Sequence, residues 1–176
     1  MAGIIKVNQY QDFNGNTLFT SDGNGNLTTQ NFMYPAFMAY YSSDYQTVSD
    51  NTDTKLTIDT EEFDTNSAFD TSTSRFTIPS GKDGKYFLFT KFYTYSSNDT
   101  GRQAKIYIYK NGSVISQTEN QYRLTQDQII GGALYTSYTV DASASDYFEA
   151  YGNFNVNSGT DNRLYRAVFG GYRIGT

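Results

Sequence analysis

The densest group of chemistry-bearing side chains is acidic: Asp59, Glu61, Glu62, Asp64 and Asp70 fall within twelve consecutive residues. Carboxylates in such a group serve two chemistries. Facing each other across a cleft, with one pKa raised by burial, they hydrolyse glycosides. Converging on a hard cation, they bind calcium through oxygen. The spacing does not fit an EF-hand loop, and the plain alternative is a solvated acidic loop. The chain has no His, which removes the usual acid/base group near neutral pH and any Ser-His-Asp triad. It also has no Cys, which removes thiol chemistry and cysteine metal sites. Gly23-x-Gly25, Gly131-Gly132 and Gly170-Gly171 lack the Lys-Ser/Thr and the strand-to-helix setting of a phosphate loop, and they read as turns, bulges or close strand contacts. No catalytic residue and no resident cofactor are expected.

The elements that carry these groups are strands. At 176 residues the chain fits one sizeable domain. Only 38% of residues are apolar, yet there are 17 Tyr, 13 Phe and just 2 Pro. A chain rich in aromatic and β-branched residues folds as sheet rather than staying disordered. Net charge is −5, divided as −8 over residues 1–70 and +3 over 71–176. An acidic chain without a basic stripe argues against nucleic-acid binding. Residues 1–6 do not make a secretory leader and no window approaches a membrane span, so a soluble protein without membrane insertion is expected.

Two regions are predicted. In residues 1–35, short alternations are separated by the turn sequences Asn14-Gly15 and Asp22-Gly23-Asn24-Gly25. Strands this short cannot bury a core alone. The segment is therefore expected to attach to a partner, with Ile5, Val7, Tyr10, Phe13 and Leu18 as the attachment side chains. Residues 36–176 carry strand patterns at 37–42, 55–59, 75–78, 85–95, 104–109, 114–117, 133–140, 147–154 and 166–174. The clearest hairpin turn is Lys110-Asn111-Gly112-Ser113. Residues 42–53 and 96–102 read as exposed loops, and the tips Asn98-Asp99-Thr100 and Asn157-Ser158-Gly159 are of a kind that can meet sugars.

Residues 85–95 are the most informative. One side of that strand receives Tyr86, Leu88, Thr90, Phe92 and Thr94, and the other receives Phe87, Phe89, Lys91, Tyr93 and Tyr95. A simple sandwich strand needs only one apolar side. Ile106-Tyr107-Ile108-Tyr109 repeats the pattern. Aromatic side chains at a surface that is packed on one side and wet on the other are typical of subunit interfaces. The interface candidates are Phe87, Phe89, Tyr93, Tyr95, Tyr107, Tyr109, Phe169 and Tyr172.

Several motifs carry a family likeness. Asp64, Phe69, Phe76 and Gly84-Lys85-Tyr86 follow in order, with Phe76-Thr77-Ile78-Pro79 inside the run. Further on come Ile106-Tyr107-Ile108-Tyr109-Lys110-Asn111-Gly112, Asp146-Tyr147-Phe148-Glu149-Ala150-Tyr151 and Phe169-Gly170-Gly171-Tyr172-Arg173-Ile174. Across residues 37–176 this resembles the complement C1q-like globular head, a jelly roll related to tumour necrosis factor. Ile58 stands where the signature has its first Phe, and Leu88 and Thr90 stand where it has aromatics. The front segment Ile5-Lys6-Val7-Asn8-Gln9 with Asn14-Gly15 resembles small structural proteins of tailed phages, especially marine ones.

The resemblance implies an all-β antiparallel jelly-roll sandwich assembled as a homotrimer. It also implies that a calcium ion is held in some relatives, for which Asp59, Glu62 and Asp64 are the carboxylates to consider. The expected function is a non-enzymatic protein on the virion surface: capsid decoration, head fibre or fibre-associated structure. Its partners would be its own copies and other virion proteins, such as the major capsid protein or a fibre or tail component. A receptor-binding knob for a host surface glycan or protein is the alternative, and a surface-polysaccharide hydrolase the outsider.

Overall fold

The longest aromatic strand sets the architecture. In the computed structural model, which describes residues 8–28, 35–96, 101–128, 132–156 and 162–175, it runs over Gly84–Ser96. Tyr86, Leu88, Phe92 and Thr94 are buried on one side, while Lys91, Tyr93 and Tyr95 are exposed on the other. The period of two therefore holds along its whole length.

The chain divides into two compact units, Met1–Tyr34 and Pro35–Thr176. In the first, β1 (Gln9–Gln11), β2 (Thr17–Ser21) and β3 (Leu27–Thr28) form an antiparallel meander. Tyr10 stacks on Phe19 at 4.3 Å, and Phe13 is fully exposed. The two turns have the same construction. Asp12 accepts hydrogen bonds from the backbone N–H groups of Asn14 and Asn16 and from the Asn16 side-chain amide. Asp22 accepts the same three from Asn24 and Asn26. A ten-residue Asp-x-Asn-Gly-Asn repeat, with Gly15 and Gly25 at positive φ, underlies what the sequence shows as two separate turn signals.

The second unit is a sandwich of two antiparallel sheets. Its strands are β4 (Ala36–Tyr40), β5 (Tyr45–Thr47), β6 (Thr54–Lys55), β7 (Thr60–Asp64), β8 (Phe69–Asp70), β9 (Arg75–Thr77), β10 (Gly84–Ser96), β11 (Gly101–Lys110), β12 (Ser113–Val114), β13 (Asn120–Gln128), β14 (Gly132–Ala142), β15 (Tyr147–Val156) and β16 (Asn162–Gly175). The front sheet has the order β14-β10-β16-β4-β7, with β5 also on β16. The back sheet has the order β12-β11-β15-β9-β8, with β13 also on β11 and β6 also on β15. The core between them is aromatic: Phe37 stacks on Phe76 at 4.2 Å and meets Phe169 edge-on at 5.1 Å. Among the described residues no helix is long and apolar enough to cross a membrane.

The expected hairpin at 110–113 is present, with Asn111 and Gly112 at φ 51° and 77°, as a two-residue turn demands. Four strands escaped the sequence reading: β5, β7, β8 and β13. The 42–53 stretch, expected as loop, contains β5 and buries Val48. The strand expected at 114–117 stops at Val114 and turns into a short 3₁₀ segment, Ser116–Thr118. At 55–59 only Thr54–Lys55 pairs as a ladder, although Leu56 and Ile58 are fully buried.

Candidate functional site

The front sheet turns an aromatic surface outward. Cross-strand pairing sets Phe87 opposite Tyr172, Phe89 opposite Gly170, Lys91 opposite Val168, Tyr93 opposite Tyr165 and Tyr95 opposite Arg163. Beyond β16, Gly170 faces Met38 and Met38 faces Phe63. Phe63, Tyr172 and Ile174 are each close to half exposed. Directly opposite side chains on one face of a sheet lie close enough to interact, and here Phe87, Tyr172, Phe89, Gly170, Met38 and Phe63 make an apolar band, with Lys91 and Arg163 beyond it. Phe87 lies 5.5 Å from Tyr172 and 6.3 Å from Phe89.

Glycine is required at one point of this band. A Cβ on Gly170 would meet the Phe89 ring at 2.5 Å, so the ring lies directly across the β16 backbone. Gly171 plays the matching role inside, where a Cβ would meet Leu88 Cδ2 at 2.5 Å and the Phe87 carbonyl oxygen at 2.8 Å. The Gly-Gly pair lets the central strands approach on both faces.

Five of the expected interface residues, Phe87, Phe89, Tyr93, Tyr95 and Tyr172, share this surface. The other three do not. Phe169 is fully buried in the core, so its assignment to an interface is corrected. It is three residues from Tyr172, and an odd separation along a strand puts the two on opposite faces. Tyr107 and Tyr109 lie on β11 of the back sheet, facing the other way. Tyr107 is only 5% exposed, covered by its own chain, which removes it as a contact residue.

That back face holds a polar cluster the sequence reading missed. Glu149, almost wholly buried, accepts from Lys55 Nζ at 3.3 Å and from Arg75 at 3.0 Å. The Arg75 guanidinium lies 3.8 Å from the Tyr147 ring, and Tyr109 stacks on Tyr151 at 3.9 Å. Burial raises the pKa of Tyr107, with Asp53 and Glu119 adding to the rise; burial and Asp53 act alike on Tyr109. The hint in the sequence was a lone acid inside the aromatic run 147–151.

The acidic group does not converge. Asp59 accepts from the Ser42 backbone N–H and hydroxyl, Asp64 from the N–H groups of Asn66 and Phe69, and Asp70 from Ser72 and Thr73. These carboxylates close the loops they sit in. Among the described residues no three acidic groups are placed to hold a metal ion, so the calcium expectation for Asp59, Glu62 and Asp64 is corrected. Of the attachment residues, Tyr10, Phe13 and Leu18 are exposed on the first unit. Ile5 and Val7 lie outside the described residues, as do the tips Asn98-Asp99-Thr100 and Asn157-Ser158-Gly159.

At the tyrosine end of the front face lies a hollow of about 380 Å³, lined by Tyr93, Thr94, Tyr95, Tyr165 and Arg166. A smaller one of about 200 Å³, lined by Tyr40, Tyr41, Arg166, Ala167 and Val168, adjoins it.

No protein-family model matches the sequence, and no curated protein matches it. Among solved structures the fold is similar to the globular domain of zebrafish complement 1qA protein, with a TM-score of 0.52 at 14% identity. The match covers 80% of this chain and 97% of that one. The all-β chain thus has the C1q-type jelly-roll fold. At that identity the likeness defines the fold alone.

Proposed function

We propose that this chain is a non-enzymatic, homotrimeric surface protein of a virion, associating through the outer face of the front sheet. The observation that carries the association is the apolar band Phe63–Met38–Gly170–Phe89 with Phe87 and Tyr172 beside it. Burying an aromatic side chain is worth roughly 1.5–3 kcal/mol, so a few per subunit suffice. The C1q-type fold supports three copies. The virion assignment is supported by the likeness of Ile5-Lys6-Val7-Asn8-Gln9 and Asn14-Gly15 to tailed-phage structural proteins. The first unit would attach to a capsid, fibre or tail partner through Tyr10, Phe13 and Leu18. The lack of His and Cys, and carboxylates taken up in their own loops, support a role without catalysis.

Light scattering tests the association. The expected particle is three times the 19.8 kDa chain, reduced to monomer by Phe89→Glu; a wild-type monomer at tens of micromolar sinks the reading. For the virion assignment, labelling the protein on purified particles in the electron microscope is decisive.

A second reading, recognition of a host surface glycan, is favoured by the tyrosine-lined hollow at one end of the same sheet.

A further inference from the structure

We infer that the hollow between Tyr93, Tyr95, Tyr165 and Arg166 binds a carboxylate-bearing saccharide, such as a hexuronate or sialate unit. The inference deepens the recognition reading and does not depend on the trimer.

Arg166 is the centre of the argument. Strand pairing slips between Lys91 and Tyr93, and one extra residue on β16 forms a bulge at Arg166 and Ala167. Arg166 takes φ 51°, a left-handed conformation uncommon outside glycine. Its N–H donates to the Asp44 carbonyl at 3.2 Å, which fixes the bulge to the loop before β5. A bulge re-aims a side chain out of the pleat. Here Arg166, exposed, lines both tyrosine-bearing hollows. Strain of this kind persists where the surroundings enforce it, and it concentrates at ligand sites.

Charge then selects the ligand. Neither Arg166 nor Lys91, which lies one pair along from Tyr93 on the same outer face, has an ion-pair partner among the described residues. Two cations without counter-charges beside a concave surface favour an anion, and a planar guanidinium matches a carboxylate through two parallel hydrogen bonds. Apart from Thr94, the rest of the lining is tyrosine. Tyr93 and Tyr95 are about 40% exposed, and the Tyr95 and Tyr165 rings stand edge to face at 5.9 Å. Flat rings with a hydroxyl at the tip suit the apolar faces and polar rims of sugar rings. The volume of about 380 Å³ lies in the range of small-molecule sites.

Two other ligand classes fit less well. A peptide strand would need a free sheet edge, and β10 and β16 are interior strands. A nucleic acid would need a longer run of cations than Arg166, Lys91 and Arg163, which donates to the Tyr165 hydroxyl at 3.2 Å, on a chain of net charge −5.

The test uses the full chain and four defined ligands: trigalacturonate, 3′-sialyllactose, neutral maltotriose and an oligothymidylate. Saturation-transfer NMR and calorimetry report binding, while light scattering and thermal melting are read on the same samples. At least one acidic sugar is expected to bind, at least tenfold more tightly than maltotriose. Arg166→Gln should weaken it at least tenfold with mass and melting temperature unchanged, and Tyr95→Ala should also weaken it at least tenfold through the stacking surface. Absence of both acidic sugars at millimolar concentration, equal binding of maltotriose, or preference for oligothymidylate overturns the inference. Loss of the oligomer in Arg166→Gln also overturns it, by giving the hollow to a subunit contact. Monomeric wild-type protein that still binds the sugar through Arg166 would refute the trimer and leave the site standing.

Discussion

The ring of Phe89 lies across the backbone of Gly170, so close that a methyl group there would sit 2.5 Å from the ring's far carbon. The neighbouring Gly171 is closed off from the other side by Leu88 and by the Phe87 carbonyl. Two adjacent glycines therefore guard two different things, the outer surface and the core.

Alanine at each should separate them. In Gly170→Ala the Phe89 ring, partly exposed, can swing away; stability should change by less than about 1 kcal/mol while self-association weakens. In Gly171→Ala the obstacle includes backbone, and overpacking should cost about 1–3 kcal/mol. Urea unfolding beside light scattering reads both.

Glu149 is expected to matter more to stability than any other carboxylate among the described residues. Its side chain is 4% exposed, whereas Lys55 and Arg75 are 37% and 35% exposed. Removing one partner of a buried pair is strongly destabilising, and the partial exposure of both cations moderates the loss. Glu149→Ala should cost about 2 kcal/mol in chemical denaturation, and Lys55→Met clearly less.

Acid should loosen the β11–β12 hairpin. Burial pushes the Asp146 carboxyl up, but the Lys110 ammonium at 2.8 Å, the Ser143 N–H and the Asn111 amide outweigh it, so its pKa falls from 3.8 to about 2. A depressed carboxylate contributes stability above its unfolded value and loses it as pH falls through the folded value. Melting temperature should drop between pH 4 and pH 2 in the wild type. Asp146→Asn should start lower and show a smaller drop across that window.

The two turns of the first unit depend on Asp12 and Asp22. In the double variant Asp12→Ala/Asp22→Ala, amide protons of residues 8–28 should exchange faster, with the melting of the sandwich unchanged. Hydrogen exchange by mass spectrometry resolves the two regions; equally faster exchange across residues 35–175 would contradict the prediction.

What could be read from the sequence followed the strength of its periodicity. Residues 85–95 alternate over eleven positions, and Asn111-Gly112 admits few conformations besides the turn it makes. The strands that escaped are polar: β7 reads Thr-Glu-Glu-Phe-Asp and β13 begins Asn-Gln-Tyr-Arg. Charged, polar strands are common at sheet edges, where they discourage further pairing, and from sequence they resemble loops. For the candidate face, the period of two separates the sides of one strand. It cannot say which of two sheets the strand joins, so by sequence Tyr107 and Tyr109 are indistinguishable from Phe87 and Phe89. The bulge at Arg166 left no pattern at all, because a single extra residue only shifts a parity that is known after the partner strand is known.

The three Asn-Gly steps of the chain differ in how their amides are held, and that difference is also a chemical clock. Deamidation begins when the glycine nitrogen attacks the asparagine side-chain carbon; it expels ammonia, and the resulting ring opens to aspartate or isoaspartate. Asn111 is restrained from both ends, donating to Asp146 at 2.7 Å and accepting from the Tyr147 N–H at 2.9 Å. Asn14 and Asn24 have no side-chain partner among the described residues. Ageing will thus be written into the N-terminal turns first, each event adding a negative charge beside Asp12 or Asp22, while the tightest hairpin of the sandwich keeps its original chemistry.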